Sequence, residues 1–193
     1  MNDIVSDPKQ QAILASAWQA FAAYGFRKTS MDDIAKGAAM SRPALYLHYR
    51  NKEDIFRQLA QVYYDQSEQA VTDALAGPGS VAEVLGKAFV VQGGDIAEAM
   101  LGSPHGMDLL DASTSTAGDI IQTGEARLQT LYAQWLTDQV AAGRVHLTGP
   151  ADEVATTFCM ALKGLKTAGS DFQTYTKRVA QLAAMIGAGL TAR

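Results

Sequence analysis

The sequence predicts an all-α protein of about nine helices, a three-helix unit at the N-terminus followed by a larger helical bundle. Three observations predict it. Apolar side chains recur at three- and four-residue spacings, with little strand-type alternation. The runs open on Ser, Asp or Asn and close on glycine, as capped helices do. The 5 prolines among 193 residues stand at breaks or in first turns, where a missing N–H does no harm.

Each element follows from local chemistry. Asp7-Pro8 is an N-cap with proline at the first helical position, and Ile13, Leu14, Ala17, Trp18 and Phe21 form one face up to the stop at Gly25. Ser30 and Asp33 make a capping box for a short second helix that turns Ile34 and Ala35 inward and fades near Gly37-Ala38. Ser41 caps a third helix from Arg42 to about His48. Asn51, with Asp54 at the capping-box position, starts a fourth, whose stripe Ile55, Phe56, Leu59, Val62 and Tyr63 runs towards Ala76.

Gly77-Pro78-Gly79 breaks the chain, and Ser80 with Glu83 restarts it. That helix runs towards Leu101, with a kink expected at Gly93-Gly94. Gly102-Ser103-Pro104 ends it, a short helix covers His105 to Ala112, and Ser113–Thr116 reads as a turn or an N-cap region. A long helix over about 117–142 places Leu128, Leu131, Tyr132, Trp135, Leu136 and Val140 on a broad apolar face. Two last helices, about 150–169 and 171–192, carry Val154, Phe158, Leu162 and Leu165, then Tyr175, Val179, Leu182, Ile186 and Leu190, with Ser170 as the cap between them.

Composition narrows the function classes. At 48% hydrophobic and 19% charged residues, the chain is built to fold rather than to stay disordered. The acidic start Met1–Asp7 lacks the basic and apolar regions of a secretory signal, and no apolar run reaches the roughly 20 residues of a membrane span, so a cytoplasmic protein without a membrane partner is expected. The lone Cys159, in an apolar run, is expected to be a buried structural thiol, with a redox sensor as the alternative if the thiol is exposed and its pKa lowered. His48, His105 and His146 lie far apart without ligand-spaced neighbours, so no metal is expected. The glycine pairs lack the lysine and hydroxyl of a nucleotide cradle, and no cofactor is expected.

The net charge of −4 conceals an uneven distribution. From Arg27 to Arg57 seven bases face four acids, and beyond Arg57 acids predominate. This basic stretch coincides with two short helices and a tight turn, the pattern of a helix-turn-helix whose second helix enters the DNA major groove. Ser41, Pro43 and Ala44 are short enough for close approach, and Arg42 can reach a guanine or a phosphate. Ile34, Ala35, Met40, Leu45 and Tyr49 are expected to hold the two helices together. Tyr46 falls on a different part of the helix surface from the inward Tyr49.

Gly25-Phe26, Thr29-Ser30-Met31, Ile34-Ala35, Ser41, Leu45-Tyr46, His48-Tyr49, Asn51-Lys52-Glu53 and Phe56 occur in an order that resembles the DNA-binding domain of TetR-family regulators. The rest of the chain resembles the family in architecture only. The resemblance implies a DNA-binding domain over residues 1–51 and a ligand-binding and dimerisation domain over 52–193. It implies that Thr29 and Lys52 meet phosphates, that Ser41, Arg42, Pro43 and Ala44 form the start of the recognition helix, and that Tyr46 and His48 touch the DNA. Of these, Arg42 and Ala44 are assigned to sequence preference, and Thr29, Tyr46, His48 and Lys52 to positioning. The family's turn reads Ala-Gly-Val-Ser where this chain has Ala38-Ala39-Met40-Ser41, so a left-handed Ala39 would cost about 1–2 kcal/mol.

The resemblance further implies a palindromic DNA operator, a homodimer through the last two helices, and a small-molecule effector of unread identity that releases a repressor by shifting the fourth helix. Ala168, Ala183, Ala184 and Gly187 are the small residues expected to suit that dimer contact. Phe89, Met100, His105, Met107, Tyr132 and Trp135 are candidates for the effector pocket, although periodicity alone makes such residues plain core. A helical-bundle enzyme, or an interaction protein with an inactive head, is the alternative. The enzyme would need a polar constellation in the C-terminal part, where none is visible, so the chain is read as a non-enzyme.

Overall fold

The computed structural model of the chain describes residues 7–168 and 171–191, the side chain of Asp95 excepted. Its helices in chain order are α1 (Pro8–Tyr24), α2 (Met31–Gly37), α3 (Arg42–Tyr46), α4 (Lys52–Leu75), α5 (Val81–Leu101), α6 (Gly106–Ala141), α7 (Ala151–Thr167) and α8 (Phe172–Leu190). Of these eight elements among the described residues, α5 and α6 each carry a break, at Gly94 and Ala117. The isolated bridge between Val145 and Thr191 is the strand-like feature. Among the described residues no helix is long and apolar enough to cross a membrane.

Helix ends form where side chains satisfy free backbone groups. The Asp7 carboxylate accepts from the Lys9 amide at 2.9 Å. Ser30 and Asp33 complete a reciprocal capping box on α2. The Asn51 side-chain oxygen Oδ1 accepts from the Asp54 amide at 2.7 Å, and Ser80 and Glu83 repeat the box ahead of α5. Gly25 ends α1 at φ 81°, ψ 157°, a region essentially reserved for glycine and distinct from the left-handed helical stop that the sequence suggests. Gly94 (φ 53°, ψ −164°) kinks α5 at the expected place.

The chain divides into two compact units. The first comprises Met1–Gln66 with Ala99–Thr123. Ile13, Phe21, Ile34, Leu45 and Ile55 are fully buried in its core. Phe21, Phe26 and Phe56 meet there with ring centroids 5.1–5.6 Å apart in tilted and edge-on contacts. The Ser103 hydroxyl donates to the Ala22 carbonyl at 2.7 Å. Arg57 of α4 grips Asp119 of α6 through two 2.7 Å bonds and also donates to the Thr116 carbonyl at 2.9 Å.

The second unit comprises Ser67–Glu98 with Gly124–Arg193. Phe89, Tyr132 and Phe158 pack edge-on with centroids 5.7–6.1 Å apart. The Tyr132 hydroxyl donates to Gln92 at 2.8 Å, and the Trp135 indole donates to the Leu75 carbonyl at 3.1 Å, so the buried polar atoms of both aromatics are paired. A side chain at Gly187 would reach within 2.6 Å of the Ala82 Cα, so α8 and α5 touch backbone to backbone there.

Several expectations are corrected. Ser113–Thr116 is helical, because the hydroxyls of Ser113, Thr114 and Ser115 donate back to carbonyls three or four residues earlier and so fit a helix. Val140 is exposed, and Gln139 is buried beside it. Tyr64 is buried where Tyr63 was expected to be. Ala183 and Gly187 face α5 within the unit rather than a dimer surface, whereas Ala168 and Ala184 are exposed. Asp171 caps α8, accepting from the Thr174 amide at 2.9 Å, while Ser170 and the start Met1–Ser6 lie outside the described residues. Cys159 is half-buried, and burial pushes its thiol up to about 12.

Candidate nucleic-acid interface

The first unit presents α2, a tight turn and α3. The turn is built by backbone hydrogen bonds. The Ala39 amide donates to the Lys36 carbonyl at 3.1 Å and the Met40 amide to the Ala35 carbonyl at 3.0 Å. This pair of bonds is a Schellman closure, which requires positive φ at its central residue. Ala39 supplies it at φ 53°, the one positive-φ residue other than glycine among the described residues. Beneath the turn Ile34, Ala35, Leu45 and Tyr49 are buried, and burial raises the Tyr49 phenol above its ordinary pKa. Met40 is half-buried.

The opposite side of α3 faces outward. Ser41, whose hydroxyl accepts from the Ala44 amide at 3.3 Å, is exposed together with Arg42 and Pro43, while Ala44 is half-buried. Tyr46 is 43% exposed. The Arg42 guanidinium lies 5.6 Å from the centre of the Tyr46 ring and donates to its hydroxyl at 3.4 Å. A stacked guanidinium loses less freedom when it meets a base edge. His48 is half-buried, its Nδ1 3.9 Å from the Asp7 carboxylate. Leu47, 86% exposed between Tyr46 and His48, belongs to the same surface. Its apolar character concealed it in the sequence, and its place between two outward residues was the available signal.

Two assigned residues turn inward. Thr29 is buried, and its hydroxyl donates to the Ala20 and Gly25 carbonyls at 3.1 and 2.8 Å. The Lys52 ammonium donates to the carbonyls of Phe26, Arg27 and Thr29 at 2.8, 3.0 and 2.9 Å. Among the nearby bases, Lys36 pairs with Asp32 at 2.8 Å, while Arg27, Lys28, Arg42 and Arg50 are exposed on the first unit.

The six pocket candidates are divided between the two units. Phe89, Tyr132 and Trp135 belong to the second unit, and the first two have no exposed surface, being packed in its aromatic cluster. Met100, His105 and Met107 belong to the first unit. Met107 is 55% exposed. His105 stands 3.7 Å from Asp108 and borders an open groove of about 430 Å³ with Ala23, Tyr24, Lys28 and Asp33. Among the described residues no group of three or more His, Cys, Asp or Glu is placed to hold a metal ion.

Known proteins agree with this geometry. The family described as "Bacterial regulatory proteins, tetR family" matches residues 13–59. The HTH-type transcriptional regulator YezE of Bacillus subtilis is 32% identical over 77 residues, and the match spans 40% of each chain, so less than half of that relative's length is covered. The fatty acid degradation regulator FadR of Bacillus halodurans superposes with a TM-score of 0.73 at 18% identity, covering 93% of this chain and 96% of that one. SmeT, the repressor of a Stenotrophomonas maltophilia multidrug efflux pump, superposes in its triclosan complex with a TM-score of 0.71 at 14% identity, covering 96% and 93%. A family model matched across the helix-turn-helix, joined to one fold over nine tenths of the length, makes the head of this chain similar to bacterial regulatory proteins of the TetR family and the whole chain similar to such regulators in fold.

Proposed function

We propose that the chain is a ligand-responsive transcriptional regulator, not an enzyme, that binds a palindromic operator as a homodimer and represses until a small molecule releases it. One observation carries the reading. The Schellman turn and the buried Leu45 hold α3 so that Ser41, Arg42, Pro43, Tyr46 and Leu47 share an exposed face of the size a major groove admits. Ala44 and His48, half-buried at its edge, complete the contact set. A dimer would set two such faces about 34–36 Å apart, one turn of DNA.

Residues 1–51 are assigned to DNA and residues 52–193 to effector and dimer contacts. Support for the dimer comes from α7 and α8, where Met160 and Met185 are each 67% exposed and Ala184 adds a small exposed residue. Support for an effector comes from the triclosan complex of SmeT. An effector that opens the Phe89–Tyr132–Phe158 cluster would find the Tyr132 hydroxyl and Gln92 as polar handles. Its signal would pass along α4, one helix from Lys52 to Leu75 that contributes residues to both units. A coupling of about 1–3 kcal/mol changes DNA affinity about 5–150-fold. A DNA target would require a cytoplasmic protein, and no helix among the described residues is long and apolar enough to cross a membrane.

Fluorescence anisotropy against the promoter DNA upstream of its own gene, with scrambled DNA as control over a salt series, tests the reading. The expected result is selective binding that weakens steeply with salt. Arg42→Ala and Tyr46→Ala should each weaken it about tenfold or more while the fold is retained. Unchanged affinity in both variants would remove α3 from the interface.

A further inference from the structure

We infer that Lys52 is a positioning residue that ties the loop between α1 and α2 to the start of α4, and that it does not meet a DNA phosphate. The inference rests on the DNA-binding reading and refines how the head achieves it. An ammonium group has three hydrogens. In Lys52 all three have partners, the carbonyl oxygens of Phe26, Arg27 and Thr29 at 2.8–3.0 Å. The same nitrogen lies 4.8 Å from the centre of the Phe26 ring, a further cation–π contact.

Two further features explain why a lysine stands there. Lys52 is the first residue of α4, the positive end of the helix dipole, where a cation is disfavoured and where Glu53 and Asp54 are the expected charges. The carbonyl tripod compensates that misfit. Conversely, three carbonyl oxygens converging on one point repel each other and would repel a phosphate, and the ammonium neutralises them from within. Thr29 fastens the same loop from the other side, its hydroxyl donating to Ala20 and Gly25. The two side chains thus fix the loop that leads into the capping box of α2. Reaching a phosphate would require Lys52 to give up three charge-assisted bonds, each stronger than a neutral one.

Lys52→Met and Lys52→Arg separate the two roles. DNA affinity is measured across a salt series, at a temperature where circular dichroism shows each variant fully folded. For a positioning lysine, both variants lose about tenfold or more in affinity at every salt concentration, and the logarithmic salt slope of Lys52→Met equals that of the wild type. Arginine does not rescue, because a planar fork cannot fill a three-carbonyl tripod. A phosphate contact gives the opposite result, overturning the inference: a slope shallower by about one per protomer in Lys52→Met, and near wild-type affinity in Lys52→Arg. Lower stability with unchanged affinity of the folded variants would also overturn it.

If the variants do not fold, nitrogen-15 NMR of the wild-type ammonium groups decides. A slowly exchanging Lys52 signal that keeps its position on DNA addition upholds the inference, and a solvent-exchanging or DNA-shifted signal overturns it. If the wild type binds no DNA, the regulatory reading falls separately. The free protein's Lys52 signal then still decides whether the tripod exists, slow exchange upholding it and rapid exchange overturning it.

Discussion

The two compact units are held together by different means. In the first, a few residues in prescribed backbone conformations do most of the specifying: the Ser30–Asp33 box, the Ala39 closure, the Gly25 stop, and the inward hydroxyl and ammonium of Thr29 and Lys52. In the second, volume does it, through three interlocked rings and the close approach of Gly187 to Ala82. A backbone requirement accepts few residues at a given position, whereas a volume requirement accepts many combinations. This fits a family signature confined to residues 13–59 in a chain whose fold as a whole agrees with known structures at only 14–18% identity.

The contrast can be broken by mutation. Phe89→Ala should have the largest effect, a loss of about 3–5 kcal/mol in urea unfolding, since it leaves a cavity among Tyr132 and Phe158. A loss below about 1 kcal/mol would mean that the second unit tolerates voids and is not specified by packing. Gly25→Ala should come next, costing about 1–3 kcal/mol because φ 81°, ψ 157° is closed to residues with a side chain. Thermal melts measure it, and an unchanged melting temperature would show that the α1 stop is not constrained by its backbone.

Ala39→Gly should raise stability. It relieves about 1–2 kcal/mol of left-handed strain and adds back about 0.5–1 kcal/mol of unfolded-state entropy, a net gain of up to about 1.5 kcal/mol. Denaturant titration of both proteins checks the sign. The smallest effect concerns acid. The Arg57 guanidinium holds the Asp119 carboxyl at about 2, below its ordinary 3.8. A carboxyl whose pKa is lower in the folded state stabilises the fold fully above its unfolded value, and that contribution fades as pH falls from about 4 towards 2. Asp119→Asn should therefore flatten the stability profile in that window and weaken the hold of Arg57 on α6 at neutral pH.

The same contrast explains what could be read without coordinates. Caps at Asp7, Ser30, Ser41 and Asn51, and the kink at Gly94, are local events whose causes lie within a few residues, and they stand where the sequence placed them. The run Ser113–Thr116 misled because a hydroxyl can either start a helix or bond back into one, and local sequence does not choose between them. Ala183 and Gly187 fit a dimer seam and an internal helix contact equally well by composition, and only the position of α5 decides. In the head, exposed Arg42 and Tyr46 were legible from periodicity. The inward turn of Lys52 was not, since its partners are backbone oxygens more than twenty residues earlier, which no side-chain pattern records.

Ala39 also raises a question of handedness. For an L-residue φ near +53° is an uphill excursion, but for the mirror-image amino acid it is the ordinary helical basin. A chemically synthesised head carrying D-alanine at this position would keep the methyl group and the turn while relieving the strain. Glycine would relieve it too, but with a freer unfolded chain as the opposing cost. The natural L-alanine does neither, so the angle between α2 and α3 is enforced against local preference by the Leu45 and Ile34 core beneath it. The fidelity of the turn is therefore a property of that core, and loosening the core should be felt first in the orientation of α3.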